Sequence, residues 1–332
     1  MRLLVGDIGG TNARLALAES AGEEFRFRLA RTYASSRFDS LPELVRHFLG
    51  DVSETADRAA LAVACPVISG RCRPPNLGWT IDVDTLGQDI GIPDTRLLND
   101  FDAVGRAIPH LSAADVATIR SGTPEPGAPM AALGAGTGLG VVFLHRVSGR
   151  YRVIGSEGGH VDFAPRNETQ MALWEFLRER HAAVSHGHVS CERVLSGAGI
   201  LAIHDFLVRS GRVPEHPETR RLLAGQEPAR VLSRLARERA DPAAVAVFDL
   251  FFEVLGALAG DLTLLAQARG GVYVAGGIAM ENRVLLERSR FVEAFEAKGR
   301  LADYLARIPV HLIVREDVGL LGAAWAARDG DA

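Results

Sequence analysis

The sequence predicts an α/β protein of two domains, in which a mixed sheet is covered by helices on both faces. The chain has 332 residues, which is more than one hydrophobic core usually supports. Apolar runs of strand length come first in a row and then alternate with helical patterns, as is typical of such sheets. A glycine-rich turn between two apolar runs occurs near the start of the chain and again in its middle. This repetition indicates an internal duplication.

Composition and charge argue against several classes of protein. The chain carries 37 Lys and Arg residues against 41 Asp and Glu residues, a formal net charge of −4, which argues against a surface for nucleic acid or anionic membranes. The cysteines at 65, 72 and 191 show no CxxC spacing, so neither a disulfide framework nor a zinc knuckle is predicted. A reducing, cytoplasmic location follows as the default. We expect no signal peptide, because Asp7 interrupts the first apolar run.

The stretch from Leu3 to Leu17 predicts a β-hairpin with a ligand-binding turn. Two apolar runs flank Gly9 and Gly10, which let the turn bend tightly and let another atom approach the backbone. The exposed N–H groups of such a turn form a cradle for phosphate. Asp7 lies at its rim, and a carboxylate beside bound phosphate suggests Mg²⁺ between them. An ordinary hairpin with a glycine turn is the alternative.

Strands and helices follow in turn. The patterns predict a strand over 25–33, a helix after Asp39 and Ser40, a buried strand over 59–65, a short helix from Asp84 and a strand over 95–98. Asn99 and Asp100 come directly after that last strand, and a polar pair at the carboxyl end of a buried strand is typical of ligand sites in α/β sheets. Alternatively, Asp100 only caps a helix from Phe101 to Ile108.

A second hairpin repeats the design of the first. Residues 121–129 (SGTPEPGAP) carry little pattern and are predicted to join the domains. Apolar runs then flank a Gly-Thr-Gly turn at 136–138. A Rossmann fingerprint does not fit, because a strand pattern follows this turn where that motif needs a helix. The single lysine of the chain, Lys298, excludes a phosphate-binding loop of the GxxxxGK[ST] type.

A loop and the start of a helix present further ionisable groups. Glu157, His160 and Asp162 surround a Gly-Gly pair, where a helix is disfavoured. A carboxylate can accept hydrogen bonds from two vicinal hydroxyls and a neutral imidazole can donate or accept, so this loop suits a polyhydroxylated ligand. Residues 190–197 are predicted to open the next helix. Glu192 then lies in its first turn, where a glutamate is favourable whatever its role.

The C-terminal part is predicted to be mainly helical. A helix over 242–268 is a core helix whose three charges lie on one face. A buried strand over 271–278 runs into a Gly-Gly turn before a helix, and a nucleobase or ribose can approach such a turn. A final strand over 310–314 precedes a helix over 318–327. We expect this helix to return to the first domain and make it discontinuous.

Together these motifs resemble those of bacterial ATP-dependent glucokinases. The resemblance runs from end to end of the chain. The matching segments are GDIGGTNARLAL (6–17), ACP (64–66), NDF (99–101), GAGTGLGV (134–141), SEGGHVDFAP (156–165), CERVLSG (191–197), VAGGI (274–278) and GLLGAAWAA (319–327). The glycine turns alone are common, but NDF and EGGHVDFAP in this order and spacing are specific to the family.

This resemblance implies the two-domain actin-like ATPase (ribonuclease H-like) fold, with a cleft between a small and a large α/β domain. The small domain would comprise residues 1–109 plus about 315–332, and the large domain residues 110–314. Asp100 would be the general base that takes the proton from the glucose 6-hydroxyl. The other sugar hydroxyls would be held by Asn99, Glu157, His160 and Glu192.

The resemblance also implies a set of nucleotide-binding residues. The ATP phosphates would be faced by Gly6, Asp7, Ile8, Gly9, Gly10, Thr11, Gly136, Thr137 and Gly138. Gly276 and Gly277 would lie near the adenosine, and Asp7 would contact Mg²⁺ directly or through water. Glucose and ATP are the expected partners, and a homodimer is usual in the family.

Departures from the family pattern leave alternatives open. Residues 73–79 differ from the family's usual run before Trp79, which leaves the sugar contacts of that loop open. The CxCGxxGC zinc motif of the related repressor and sugar-kinase group is absent after His160, which separates the chain from that group. A kinase for another hexose, such as mannose or an N-acetylated amino sugar, shares every motif above. A non-enzymatic sugar sensor on the same fold needs a DNA-binding module, which we do not expect because the first predicted strand begins at Arg2.

Overall fold

The structure, a computed structural model, describes residues 1–22, 24–74, 77–225 and 227–329. Its strands are β1 (Arg2–Ile8), β2 (Asn12–Ala21), β3 (Glu24–Ala34), β4 (Arg58–Val63), β5 (Arg71–Cys72), β6 (Ile81–Asp82), β7 (Thr95–Asn99), β8 (Val116–Arg120), β9 (Met130–Ala135), β10 (Leu139–Val147), β11 (Arg150–Ser156), β12 (Gly271–Ala275) and β13 (Val310–Ile313). Its helices are α1 (Leu41–Val52), α2 (Val83–Ile90), α3 (Asp100–Ala107), α4 (Glu168–Arg180), α5 (Ala182–Ser185), α6 (Gly197–Arg209), α7 (Pro217–Leu223), α8 (Pro228–Arg237), α9 (Pro242–Ala266), α10 (Gly277–Glu281), α11 (Arg283–Arg288), α12 (Phe291–Glu296), α13 (Ala302–Leu305) and α14 (Val318–Asp329).

The chain forms two compact units. Unit 1 comprises Met1–Ser112, Tyr151–Gly155 and Arg315–Ala332, and unit 2 comprises Ala113–Arg150 and Ser156–Val314. The segment 121–129, which we predict to join the domains, lies wholly inside unit 2, so that prediction is wrong. Its backbone is bound within the unit, since the N–H of Thr123 donates to the Arg307 carbonyl at 2.9 Å. Proline and glycine marked a loop here, not a domain boundary.

Unit 1 is built on a mixed sheet covered on both faces, as predicted. Its strand order is β3-β2-β1-β4-β7, with β1, β4 and β7 parallel and β2 antiparallel to both its neighbours. Alternation along β1 sends Leu4 and Ile8 to the face covered by α1 and α2. Leu3 and Val5 point to the opposite face, which α3 and α14 cover. The first hairpin, formed by β1 and β2, and the buried strand predicted over 59–65, which is β4, are therefore confirmed.

Unit 2 repeats this strand order. Its strands have the order β10-β9-β12-β13-β8, in which β9, β12 and β13 are parallel and β10 is antiparallel to β9. As in unit 1, a hairpin is followed in the sheet by two parallel strands, and β8 adds an antiparallel edge. The internal duplication predicted from the two glycine turns is confirmed in this topology.

The long helix α9 is the core helix of unit 2, as predicted. It packs against α6, α8 and α12, and it buries Phe248, Phe251 and Phe252 almost completely. Among the described residues it is the one helix long and apolar enough to cross a membrane, but 78% of its most apolar window is buried inside the protein. Burial of this kind is expected of a core helix.

Candidate functional site

Parallel strands bring the predicted polar residues of unit 1 to one edge of its sheet. The register pairs Asp7 of β1 with Ala62 of β4, and Ala62 with Leu98 of β7. Asn99 and Asp100 directly follow Leu98 in the chain. Because β1, β4 and β7 run in the same direction, Asp7, Asn99 and Asp100 all lie at the carboxyl edge, where open α/β sheets bind ligands.

The first glycine turn is held by its own backbone and by Ser35. The N–H of Gly9 donates to the Asn12 carbonyl at 2.9 Å. Ser35 is fully buried; its Oγ donates to the Gly9 carbonyl at 2.8 Å and its N–H donates to the Thr11 carbonyl at 2.9 Å. Ser35 is not among the predicted site residues, because a single serine after a strand carries no local signal.

Asn99, not Asp100, caps the helix that follows β7. The side-chain Oδ1 of Asn99 accepts a hydrogen bond from the Phe101 N–H at 2.9 Å, and its Nδ2 donates to the Cys65 carbonyl at 3.3 Å. Helix α3 begins at Asp100 and ends at Ala107, so the alternative in which Asp100 serves only as the N-cap is wrong. Asn and Asp are both good N-cap residues, so the local sequence does not decide which of the two adjacent residues caps the helix.

Burial raises the pKa values of both carboxyl groups at this edge, and like charge adds to the rise at Asp100. Burial raises the pKa of Asp7 above its ordinary value of 3.8, and the Arg14 guanidinium opposes this rise. Burial, followed by repulsion from Asp7, raises the pKa of Asp100 from 3.8 to about 6, although the backbone N–H of Phe101 favours the charged form. A carboxyl group with a pKa near 6 is suited to accept a proton near neutral pH.

Two residues that the sequence did not identify as site residues lie against Asp7. Arg14 is its partner across β1 and β2, and Arg14 Nη1 also donates to the Glu316 carbonyl at 3.0 Å, just before α14. A Cβ atom built on Gly319, in the first turn of α14, would lie 2.6 Å from Asp7 Oδ2. Only glycine leaves room for the carboxylate there. The return of this helix to the first domain was expected, but its specific contact between Gly319 and Asp7 has no local sequence signal.

These carboxylates suit a divalent cation. Asp7 and Asp100 are both shielded from solvent and repel each other, and a cation beside them would relieve that repulsion. Within residues 1–22, 24–74, 77–225 and 227–329, no group of three or more His, Cys, Asp and Glu side chains could hold a metal ion. A cation at Asp7 would therefore take further ligands from phosphate oxygens and water, which is the usual binding mode of Mg²⁺.

In unit 2 the second glycine turn lies beside the predicted adenosine turn. The N–H of Gly136 donates to the Gly138 carbonyl at 2.8 Å, and the N–H of Gly197, at the start of α6, donates to the Gly136 carbonyl at 2.9 Å. A Cβ atom on Gly276 would lie 2.4 Å from the Ala135 carbonyl oxygen, and Gly276 has a φ of +91°. Glycine is thus required where the two turns meet.

Three of the predicted sugar-binding side chains lie together in unit 2. His160 Nε2 is 3.9 Å from Glu157 Oε2, and His160 Nδ1 is 4.0 Å from Glu192 Oε1. The side chains of Glu157, His160 and Glu192 keep 64%, 56% and 32% of their surface exposed, so a ligand can reach them. Two carboxylates beside an imidazole offer several acceptors and one group that can also donate, which matches vicinal hydroxyls.

Glu192 lies in a 3₁₀ turn and not in the first turn of a helix. The turn covers Cys191–Arg193, and α6 begins at Gly197 with Ser196 as its N-cap. The prediction that residues 190–197 open this helix is therefore wrong, because Ser196, and not Ser190, accepts from the helix backbone. The carboxylate of Glu192 instead accepts a hydrogen bond from the Leu139 N–H at 3.0 Å.

Cys65 and Cys72 form a disulfide, contrary to the expectation from their spacing. Their Cα atoms lie 6.0 Å apart, within the range that a disulfide spans. Cys65 follows β4 and Cys72 ends β5, so the chain reversal between them brings the two sulfur atoms together. Spacing alone did not indicate this reversal, because the intervening residues match no known cysteine motif.

The loop that departs from the family pattern is anchored at its end. Trp79 is buried, and its Nε1 donates to the Phe38 carbonyl at 2.9 Å. Pro75 and Asn76, within the altered run 73–79, lie outside the described residues.

Comparisons with known proteins agree on one family. A family model described as Glucokinase matches residues 4–330. A glucokinase from Nostoc sp. is 40% identical over 339 residues, covering 98% of this chain and 98% of the relative. A solved glucokinase structure from an Antarctic psychrotroph has a TM-score of 0.83 at 33% identity, covering 99% of each chain. A solved structure of a ROK family glucokinase from Streptomyces griseus, in complex with glucose and AMPPNP, has a TM-score of 0.67 at 19% identity. The match covers 99% of this chain and 100% of that chain, and it shows a likeness of fold alone. The predicted actin-like ATPase fold is thereby confirmed.

Proposed function

The chain belongs to the glucokinase family and is a sugar kinase, and we propose that it transfers the γ-phosphoryl group of ATP to the 6-hydroxyl of D-glucose. The products are glucose 6-phosphate and ADP. The observation that carries this proposal beyond family membership is the environment of Asp100. It lies at the carboxyl edge of the unit 1 sheet, where burial and Asp7 raise its pKa to about 6.

Asp100 is the general base in this proposal. Near neutral pH its carboxyl group is mostly ionised, yet it is more basic than an ordinary aspartate, which favours transfer of the proton from the attacking hydroxyl. The O–H bond of the sugar breaks as its oxygen bonds to the γ-phosphorus, and the bond from that phosphorus to ADP breaks. A positioned base contributes about 10² to 10⁴ in rate, or ~3 to 5 kcal/mol.

The remaining sugar hydroxyls are assigned to four further side chains. Asn99 donates one amide hydrogen to Cys65 and retains a second for a ligand. His160 lies within 4.0 Å of both Glu157 and Glu192, and these three side chains provide acceptors for the other hydroxyls. A sugar that lacks one of these hydroxyls leaves a polar group unpaired, and sites of this kind discriminate by up to about 10⁴.

The two glycine turns are assigned to the ATP phosphates. Their N–H groups suit anionic oxygens, while the turn at 276–277 is assigned to the adenosine and Asp7 to Mg²⁺, directly or through water. Mg²⁺ held at Asp7 would supply positive charge against the charge that develops on the transferring phosphoryl group. The chain itself then has mainly to hold the two substrates in line, which is the principal demand of phosphoryl transfer.

A coupled ADP-release assay over a panel of hexoses tests the proposal. With ATP and Mg²⁺, glucose should give the highest kcat/KM, above mannose and N-acetylglucosamine, and the product should be oxidised by a glucose 6-phosphate-specific dehydrogenase. A higher kcat/KM for mannose or an N-acetylated sugar would assign the kinase to that hexose. No sugar-dependent ADP release with any hexose would reject a kinase function.

A further inference from the structure

Leu139 is the point at which the second glycine turn touches both segments assigned to the sugar. Its N–H donates to Glu192 Oε2 at 3.0 Å. On its other side, a Cβ atom built on Gly159 would lie 2.0 Å from the Leu139 carbonyl oxygen, so the loop that carries Glu157 and His160 packs directly on this peptide. Leu139 immediately follows Gly138, the last residue of the turn. The backbone just after the turn is therefore held from two sides.

Glu192 is also fixed to the elements that hold the other end of the turn. Its carbonyl accepts a hydrogen bond from Ser196 Oγ at 2.8 Å. The next residue, Gly197, donates its N–H to the Gly136 carbonyl at 2.9 Å. Movement of Glu192 would thus be transmitted to both ends of the glycine turn, through Leu139 and through the start of α6.

The two outer glycines of the turn differ in how they relate to Glu192. A Cβ atom on Gly138 would lie 2.6 Å from Glu192 Oε2, whereas a Cβ atom on Gly136 would meet no atom of the described residues within 4 Å beyond its chain neighbours. Neither glycine has the positive φ that would strain an alanine. The same Gly→Ala change at these two positions therefore tests the contact with Glu192 separately from the loss of a glycine.

We propose that Glu192 is a positioning residue for the phosphate turn as well as a sugar ligand, so that glucose and nucleotide bind with positive cooperativity through the Glu192–Leu139 hydrogen bond. This inference rests on the proposed function. The Glu192 side chain is 32% exposed, with Oε2 bonded to the Leu139 N–H and Oε1 facing His160 at 4.0 Å. A sugar hydroxyl on Oε1 fixes the carboxylate, which fixes Oε2 and so orders the turn before phosphate binds. By linkage, nucleotide must raise glucose affinity by the same factor.

Substitutions at Glu192 test the effect on nucleotide binding. ADP binding is measured by calorimetry with Mg²⁺ in the absence of glucose, on the full chain. E192A removes the acceptor for Leu139 and should weaken ADP binding by about tenfold, or ~1.4 kcal/mol. E192Q keeps an acceptor oxygen and should bind ADP like the unsubstituted protein, while both variants bind glucose more weakly. Glucose should increase ADP affinity in the unsubstituted protein but not in E192A.

Substitutions in the turn test the reverse effect and do not depend on the folding of E192A. Glucose binding is measured without nucleotide. G138A pushes against the Glu192 carboxylate and should weaken glucose binding by about threefold to tenfold, or ~0.7 to 1.4 kcal/mol. G136A, the matched control, should leave glucose binding unchanged. Melting temperatures of all variants report whether the fold is retained.

The outcomes separate this inference from the function on which it rests. ADP affinity that is unchanged in E192A, or equal glucose affinity in G138A and G136A, would overturn the positioning role while leaving the kinase intact. Failure of the proposed function has a different signature, since the unsubstituted protein would then neither bind glucose nor release ADP in its presence.

Discussion

Replacement of Asp100 by asparagine is expected to stabilise the protein at pH 8 although it removes the proposed base. Burial and the charge of Asp7 raise the pKa of Asp100 from 3.8 to about 6, so the folded protein holds this proton more tightly than the unfolded chain. Stability is therefore lost as the pH rises from about 4 through about 6. The full loss is ~3 kcal/mol at 1.36 kcal/mol per tenfold change. Asparagine is uncharged and keeps an acceptor for the Phe101 N–H, so it avoids this loss.

Unfolding by heat or urea, without substrates or divalent ions, measures the effect. D100N should be more stable than the unsubstituted protein by ~1 to 3 kcal/mol at pH 8, which corresponds to a rise of several degrees in Tm. About half of the gain should disappear at pH 5. D84N makes the same change in the exposed first turn of α2 and should alter stability by less than ~0.5 kcal/mol. Equal or lower stability of D100N at pH 8, or a gain independent of pH, would refute the reasoning.

Three further predictions concern the same edge of unit 1. The kcat of the unsubstituted protein should fall as the pH drops through about 6, reaching about a tenth of its pH 8 value at pH 5, because a protonated Asp100 accepts no proton; a flat profile in the ADP-release assay would contradict this. G319A places a Cβ atom 2.6 Å from Asp7 Oδ2 and should raise the Mg²⁺ concentration needed for half-maximal activity, with glucose affinity by calorimetry unchanged. G50A, whose Cβ atom would meet nothing within 4 Å in the part of the chain that the structure describes, should show neither effect. S35A removes a 2.8 Å hydrogen bond to the first glycine turn and should raise the KM for ATP and lower stability by ~1 kcal/mol; an unchanged KM would remove Ser35 from the support of that turn.

The glycine hairpins could be predicted because all of their signals are local. Apolar alternation, a glycine pair and the next apolar run occur within residues 3–17 and again within 131–144, and the structure has a hairpin at each place. The N-cap of α1 could also be predicted, because the capping contact is local: Ser40 Oγ accepts a hydrogen bond from the Glu43 N–H three residues later. Elements whose contacting residues are close in sequence could therefore be predicted from the sequence alone.

The contacts that define the chemistry of the site could not be predicted in this way. Gly319 meets Asp7 only because α14 packs on β1, and Glu192 meets Leu139 only because a 3₁₀ turn precedes α6. The Cys65–Cys72 disulfide likewise depends on a chain reversal that spacing does not encode. Each pair is joined by tertiary packing, for which a single sequence offers no periodic or capping signal.

The most direct test of the account is the turnover of D100N measured together with its glucose affinity. With saturating ATP, Mg²⁺ and glucose at pH 8, kcat should fall by about 10² to 10⁴, while the glucose dissociation constant from calorimetry remains within about threefold of its original value, a change below ~0.7 kcal/mol. D84N should retain full turnover. Wild-type turnover in D100N would contradict the assignment of Asp100 as the base.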